Sequence, residues 1–193
     1  MSPVSLTPYA LKRLSTRELL ALFKTLEAPA IAEMNGEFAA CMLRYPSRLR
    51  FVLDHLGAYN PVTGYWQCKA FRPASADEGR GYNGFRHRGR IVQRSPMLTL
   101  NAASRYDGRP AYQLVYRAYH SACGNIHMVD EIRRVAPGVY LGIGTWGFTA
   151  AQRWIPRPFL LTGPDAPYRG DIGKPRRGFR LAAEIPALQG LPI

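Results

Sequence analysis

The segment that decides the fold is 97–145, MLTLNAASRYDGRPAYQLVYRAYHSACGNIHMVDEIRRVAPGVYLGIGT, in which short apolar runs alternate with turn residues. Asp107-Gly108 joins two of these runs, and Pro137-Gly138 joins two more. Both dipeptides are strong turn formers between extended segments. The segment therefore predicts two antiparallel hairpins.

Similar runs continue the pattern on both sides of this segment. Within 111–120, Tyr112, Leu114 and Tyr116 fall on one face of an extended chain, as a half-buried strand requires. About eight such strands leave two costly open edges unless the sheet closes on itself or packs against another. We predict a mainly β fold, an antiparallel β-barrel of about eight or more strands, with a two-sheet sandwich as the alternative. The predicted strands are 36–44, 65–72, 84–94, 97–104, 111–120, 126–135, 139–145 and 157–162.

An N-terminal helix precedes the strands. Ser15 can cap it, Glu18 stands three positions later as in a capping box, and apolar residues follow at helical spacing from Leu19. The predicted helix covers 15–28 and packs its apolar stripe against one end or face of the sheet.

The length of 193 residues fits one domain. We predict a single domain over 1–193, with the β-barrel at 36–162 and an irregular, proline-rich tail at 163–193. Residues 73–84, which are rich in Ser, Asp, Glu and Gly, are predicted to form a mobile loop.

Composition excludes several classes of protein. A hydrophobic content of 47% excludes a disordered chain, and no apolar run approaches the roughly 20 residues of a membrane helix. The N-terminus lacks the succession of basic, apolar and small residues that marks a secretory leader. We expect a cytoplasmic protein with no membrane partner.

The net charge of +13 raises the question of a nucleic-acid partner. Only four of the 26 basic residues are lysines, and the arginines are scattered, with two short concentrations at 86–94 and 174–180. No zinc-finger, basic-zipper or RNA-recognition signature accompanies them. These features argue against nucleic acid, which is kept as an alternative partner for an Arg-rich surface.

Metal and cofactor motifs are absent from the sequence. Cys41, Cys68 and Cys123 are odd in number and far apart, and the four histidines include no pair at metal-ligand spacing. No P-loop or G-x-S-x-G is present, and no strand-turn-helix unit follows Gly142-Ile143-Gly144. We expect no metal and no cofactor, and we expect the cysteines to be buried apolar residues.

Two stretches carry a resemblance to a known family. They are LSTRELLALFKTLEAPAIAEMNGEFAACML at 14–43 and HMVDEIRRVAPGVYLG at 127–142. The first resembles the opening of bacterial lipocalin-like (calycin) proteins of the GXWXG type, and the second resembles the D-E-I-R hairpin and Y-L-G strand of related proteins. Where the family motif has Trp and Gly, this chain has Phe38 and Ala40. The resemblance implies a lipocalin-like barrel with a small-molecule pocket, but no reaction.

The densest group of ionisable residues on a predicted strand includes Asp130, Glu131 and Arg133. Alternation puts His127, Glu131 and Arg133 on one face and Asp130 on the other, and it does not say which face points inward. If the protein is an enzyme, Asp130, Glu131 and Arg133 are its candidate catalytic residues. The structural alternative is an acid-arginine pair that ties neighbouring strands together.

Aromatic and histidine side chains are the candidate ligand contacts. Tyrosines give a cavity an apolar wall and a hydroxyl group that can orient a ligand. His120 and His127 could meet across the predicted turn at Gly124-Asn125. For the aromatic residues, ordinary core packing is the alternative. The candidate ligand-binding residues are Tyr112, Tyr116, His120, His127, Tyr140 and Trp66.

Two hypotheses for function follow from these patterns. The first is binding of a small, largely apolar metabolite in a barrel cavity. The second is a cofactor-free enzyme of the isomerase or cyclase type that uses the same cavity. The sequence leaves open whether the protein forms a homodimer.

Overall fold

The computed structural model describes residues 7–44, 47, 49, 52, 55–56, 58–62 and 64–189. The described helices are α1 (Pro8–Arg13), α2 (Thr16–Phe23) and α3 (Ala122–Asn125). The described strands are β1 (Gly36–Met42), β2 (Tyr59–Asn60), β3 (Gly64–Pro73), β4 (Glu78–His87), β5 (Arg90–Ala103), β6 (Pro110–Val115), β7 (Val129–Ala136), β8 (Val139–Thr145) and β9 (Arg157–Ala166).

The strands form one antiparallel sheet that closes on itself. Its order is β1-β9-β8-β7-β6-β5-β4-β3-β2, and an additional pairing of β1 with β3 closes a barrel of eight strands. The short β2 lies beside β3, outside the closed ring. Closure gives both edge strands of the barrel a partner. The predicted mainly β barrel with an N-terminal helix is confirmed, and the sandwich alternative is wrong.

Three predictions about single segments were wrong. The strand predicted over 84–94 is divided at Arg88-Gly89 between the end of β4 and the start of β5, and β5 continues to Ala103. Residues 73–84 are not a loop, because β3 runs to Pro73 and β4 begins at Glu78, which leaves a turn of only four residues. The strand predicted over 111–120 ends at Val115, where the chain turns into a 3-10 helix at Tyr116–Ala118. The Tyr119 amide donates to the Tyr116 carbonyl at 3.1 Å, so this part of the chain cannot continue the sheet ladder.

The N-terminal helices cover one outer face of the barrel. Ser15 caps α2 through the predicted capping box: its hydroxyl accepts from the Glu18 amide, and the Glu18 carboxylate accepts from the Ser15 amide. Leu19 and Phe23 of α2 are fully buried in one cluster with Leu141 of β8 and other outward-facing strand residues. α2 ends at Phe23, earlier than the predicted boundary at 28.

Large aromatic side chains fill one half of the barrel interior. The ring of Phe38 lies 5.6 Å from the rings of Phe71 and Tyr140, and Phe71 lies 5.6 Å from Tyr112. The Phe38–Tyr140 and Phe71–Tyr112 pairs meet edge to face, a favourable arrangement for aromatic rings. This half of the barrel is therefore solid core, and any internal space lies in the other half.

The tail after β9 runs along the outside of the barrel. Asp171 pairs with Arg72 of β3 at 2.6 Å and Arg80 of β4 at 2.9 Å, and the Arg176 amide donates to the Ala118 carbonyl at 2.8 Å. These contacts fix the tail on the barrel, although up to residue 189 its regular structure consists of two 3-10 turns. Within the described residues, no helix combines the length and the apolar character that crossing a membrane requires.

Candidate ligand-binding site

The half of the barrel that the aromatic core leaves empty is a cavity of about 330 Å³. Its size falls within the range of about 300–1,000 Å³ that is typical of small-molecule sites. Most of its wall is apolar, and the described lining residues are Met42, Ala58, Trp66, Lys69, Asn83, Phe85, Cys123, Ile126, Met128, Asp130, Gly144, Thr145, Trp146, Arg157 and Phe159.

An irregularity in β3 brings Trp66 and Lys69 to the same side of the sheet. The register against β4 shifts between Trp66 and Cys68, and the Trp66 indole donates to the Cys68 carbonyl at 3.1 Å across this shift. Regular alternation would put residues 66 and 69 on opposite faces. The bulge instead aims both side chains into the cavity, where Lys69 lies opposite Asn83 of β4.

Lys69 is the centre of a buried polar cluster at the cavity wall. Its ammonium donates to Asp130 Oδ2 at 2.7 Å, to the Tyr116 hydroxyl at 2.5 Å and to Asn83 Oδ1 at 3.0 Å. The Lys69 and Asp130 side chains are each only 4% exposed. A charge so deeply buried is stable only with a countercharge and full hydrogen bonding, and the cluster supplies both to Lys69.

Aromatic rings enclose the same ammonium. Lys69 Nζ lies 5.3 Å from the ring centres of Trp66 and Tyr116 and 5.0 Å from that of Phe159. At these distances the negative ring faces attract the cation. Because all three of its donors are already used, Lys69 holds the cluster in place and has no donor left for a ligand.

Asp130 and Asn83 each keep one polar atom that bonds to nothing among the described residues. Asp130 Oδ2 accepts from Lys69 and from the Tyr116 hydroxyl, which leaves Oδ1 without a donor. The Asn83 oxygen must face the ammonium, which only donates, so its Nδ2 is turned away from Lys69. Both residues line the cavity. The cluster therefore offers a ligand one strong acceptor and one donor.

Gly144 makes the space that Asp130 occupies. A Cβ at position 144 would lie 2.8 Å from Asp130 Oδ1, closer than real side chains approach. Gly142, two residues earlier on β8, similarly leaves room for the ring of Phe159, which would lie 2.1 Å from an added Cβ. Because neither glycine has a Cβ, Asp130 of β7 and Phe159 of β9 can pack directly against the backbone of β8. The two glycines therefore shape the wall of the cavity.

The hydroxyl and thiol groups near the cavity are protonated at neutral pH. Burial, followed by the nearby charge of Asp130, raises the pKa of Tyr116 well above its usual value. Burial also raises the pKa of Cys123, which lines the cavity, and that of Cys68 to about 11. All three cysteines are free thiols. The raised pKa values keep these cysteines as neutral thiols, so they do not favour a mechanism that uses a cysteine thiolate as nucleophile.

The structure separates the three residues predicted as catalytic. Asp130 points into the cavity, whereas Glu131 and Arg133 lie on the opposite face of β7. Glu131 accepts from Ser104 and from the amide of Arg105, and Arg133 pairs with Asp107 at 2.7 Å through both terminal nitrogens. Neither residue borders the cavity, and both have the strand-tying arrangement that was the structural alternative.

The predicted ligand-binding residues are also divided. Trp66 lines the cavity, and Tyr116 joins the polar cluster next to it. Tyr112 and Tyr140 lie in the filled half, where Tyr112 donates to Thr99 at 2.8 Å and Tyr140 donates to Glu33 at 2.7 Å. His120 and His127 do not enter the barrel, because the chain leaves the sheet after Val115, and both line a groove on the outside.

Two members of the polar cluster, Lys69 and Asn83, were missed by sequence reasoning. The signal for Lys69 was its position inside the aromatic strand sequence YWQCKAFR, since most other basic residues of the chain are arginines in polar surroundings. The bulge after Trp66 hid this signal, because strict alternation places residue 69 away from the cavity. No local pattern marks Asn83, which is paired with Lys69 on the neighbouring strand β4.

Within the described residues, no group of three or more His, Cys, Asp or Glu side chains is arranged to hold a metal ion. No protein-family model matches this chain, and no curated protein matches it either. Among solved structures, the chain is similar to a crystal structure of a protein from Thermomonospora curvata, with 17% sequence identity and a TM-score of 0.52. The similarity covers 77% of this chain and 87% of the other. At this identity it supports the barrel fold alone.

Proposed function

We propose that this protein binds a small, largely apolar molecule in the barrel cavity and holds its polar end at the Lys69 cluster. The observation that carries this proposal is the distribution of polar atoms in the wall. The wall of a mostly apolar cavity of about 330 Å³ includes a connected cluster of Lys69, Asp130 and Asn83, in which one acceptor and one donor have no partner among the described residues. Thr145 and Arg157 also line the cavity but lie outside this cluster. A few convergent polar groups in an apolar pocket are the usual design of a small-molecule site.

The unused atoms define the polar end of the ligand. Asp130 Oδ1 is an acceptor, so the ligand should carry a hydroxyl or N–H group that donates to it. Asn83 Nδ2 is a donor, so the ligand should also carry a carbonyl or ether oxygen near that hydroxyl or N–H group. The rest of the molecule packs on Trp66, Phe85 and Phe159. A simple hydrocarbon fits poorly, because it would leave both polar atoms buried without a partner.

Native mass spectrometry of the freshly purified protein tests this proposal. We expect a constant extra mass that is lost on denaturation and that identifies the retained molecule. The Met128→Trp variant, which fills the cavity from its wall, is expected to lose that mass. Leu22→Trp is the matched control, since it adds a similar bulk on the outer helix α2. Equal retention by both variants would place the bound molecule outside the barrel and refute the proposal.

A second candidate function is proton transfer on the bound molecule, as in a cofactor-free isomerase or cyclase. The specific observation in its favour is that Asp130 lines the cavity and that its Oδ1 has no donor among the described residues, so this oxygen could accept a proton. Asn83 Nδ2 would then stabilise the negative charge that develops on the ligand oxygen. Incubation of the loaded protein in D₂O tests this, because Asp130→Asn should abolish deuterium exchange into the ligand while retaining the ligand itself.

We also infer that the chain is related to the lipocalin-like proteins of the GXWXG type. Supporting this inference, the Gly36-Glu37-Phe38 segment opens β1 directly after the N-terminal helices, as the family motif does. The cytoplasmic location and the single-domain organisation stay predictions from the sequence, which leaves open whether the protein forms a homodimer.

A further inference from the structure

A basic groove lies on the outside of the barrel, where the C-terminal tail crosses the chain that follows β6. Its volume is about 780 Å³. The basic groove is defined by its five cations, Arg117, Lys174, Arg176, Arg177 and Arg180, together with Phe179.

Positive charge in the basic groove greatly exceeds negative charge. Among its described lining residues are five Lys or Arg side chains and a single carboxylate, that of Glu184. Glu184 is already engaged, because His127 Nδ1 lies 2.8 Å from it and Arg117 Nε lies 3.9 Å from it. No ion pair is formed by Lys174, Arg177 or Arg180 with another described residue. A concave surface of one charge sign concentrates ligands of the opposite sign.

The chain that carries these cations is fixed in place. The Arg176 amide donates to the Ala118 carbonyl at 2.8 Å, and the His120 amide donates to the Lys174 carbonyl at 3.0 Å. The Arg176 guanidinium also donates to Asn125 Oδ1 at 2.8 Å. These contacts hold the backbone before Arg177, and the contact of Glu184 with His127 holds it after Arg180. Binding would therefore not have to order a loose tail first, which lowers the entropic cost of association.

From these features we propose that the basic groove binds a nucleotide, with its phosphates on Arg177 and Arg180 and its base against Phe179. Arginine forks match phosphate oxygens in geometry and charge. Phe179 lies in the same groove and is only half-buried, so its ring offers a flat apolar surface beside the cations. The groove volume also falls in the range of small-ligand sites.

Isothermal titration calorimetry with adenosine diphosphate tests the proposal. Loss of one charge-assisted contact costs about tenfold in affinity, so Arg177→Gln/Arg180→Gln should weaken binding by at least that factor. Arg86→Gln/Arg90→Gln is the matched control, because it removes the same charge from the other arginine concentration. The control should bind within about twofold of the original protein. Phe179→Leu should weaken adenosine diphosphate but not pyrophosphate.

Three outcomes would overturn the proposal. Equal loss in both double variants would show attraction to net charge alone. Pyrophosphate binding as tightly as adenosine diphosphate, with no effect of Phe179→Leu, would show a site for an inorganic anion only. A single-stranded octanucleotide that binds far more tightly, with a steep salt dependence, would assign the surface to nucleic acid. The molecule retained in the cavity should be unchanged in Arg177→Gln/Arg180→Gln, so this test does not depend on the proposed function.

Discussion

Replacing Lys69 by methionine would leave the Asp130 carboxylate buried without its countercharge. Methionine keeps most of the side-chain volume, so the packing of Trp66 and Phe159 around position 69 is preserved. The carboxylate side chain is 4% exposed and, among the described residues, would retain only the Tyr116 hydroxyl as a donor. Removal of one partner from a buried ion pair costs about 3–5 kcal/mol. We therefore expect Lys69→Met to lower the free energy of unfolding by about that amount.

A double-mutant cycle separates the cost of the lone charge from the cost of the lost lysine contacts. Asp130→Asn keeps the shape of the side chain and removes its charge, so Lys69→Met/Asp130→Asn contains no unpaired ion. The double variant should be more stable than Lys69→Met alone, although one more native group has been removed. For a chain of this length, a loss of about 3–5 kcal/mol corresponds to a melting temperature that is lower by roughly 6–20 °C.

Urea unfolding, followed by tryptophan fluorescence, measures the free energy of unfolding of the four proteins in the cycle: the original protein, the two single variants and the double variant. The reasoning would be refuted if Lys69→Met changed the free energy of unfolding by less than about 1 kcal/mol, as an exposed ion pair does. It would also be refuted if the two single changes simply added in the double variant. Either result would mean that water reaches the Lys69–Asp130 pair and that the two charges do not depend on each other.

Three further predictions concern other parts of the molecule. Arg133→Met leaves Asp107 without its arginine and should destabilise the fold by about 3–5 kcal/mol, while native mass spectrometry still finds the retained molecule. Gly144→Ala should push Asp130 from its position and abolish retention, and a variant that keeps the molecule would contradict this. Arginine hydrogen bonds, opposed by burial, hold the pKa of Asp171 below 3.8. The stabilisation by Asp171 is therefore complete at neutral pH and lost as pH falls below that value, so the difference in unfolding free energy between the original protein and Asp171→Asn should shrink below about pH 4.

The elements that sequence predicted correctly are those set by local chemistry. Ser15 and Glu18 form the capping box because a cap needs only its own turn of helix. Asp107-Gly108 and Pro137-Gly138 lie in hairpin turns because each dipeptide favours a turn wherever it stands. Alternation within β7 is regular up to Arg134, so Asp130 lies on the face opposite Glu131 and Arg133 as predicted, but the sequence did not decide which of these faces points inward.

The elements that sequence reasoning missed depend on contacts between distant segments. The bulge after Trp66 is visible only in the pairing of β3 with β4, and it decides that Lys69 points inward. Polar composition favoured a loop at 73–84, but β4 takes its hydrogen bonds from both neighbours and becomes a strand in spite of that composition. The position of His120 depends on the chain leaving the sheet after Val115, which alternation could not show.

Two of the buried charge pairs of β7, Arg133–Asp107 and Lys69–Asp130, differ in a way that separates structural from functional use. Arg133 has five N–H donors, and all five are used: two on Asp107 and three on the carbonyls of Phe23, Arg109 and Pro110. Such a pair has nothing left to offer a ligand, and its purpose is to hold α2 and the β5–β6 turn on the barrel.

The pair of Lys69 and Asp130 lies on the opposite face of the same sheet and is not saturated. Its ammonium is fully used, yet Asp130 Oδ1 and Asn83 Nδ2 have no partner among the described residues and belong to the wall of an otherwise apolar cavity. A ligand that covered these two atoms without pairing them would lose about 1–3 kcal/mol for each, whereas a ligand with a matching donor and acceptor would not. Both pairs are buried and charged, but only the Lys69 cluster keeps an acceptor and a donor that are unpaired among the described residues. This difference is the reason for placing the ligand-binding site at the Lys69 cluster.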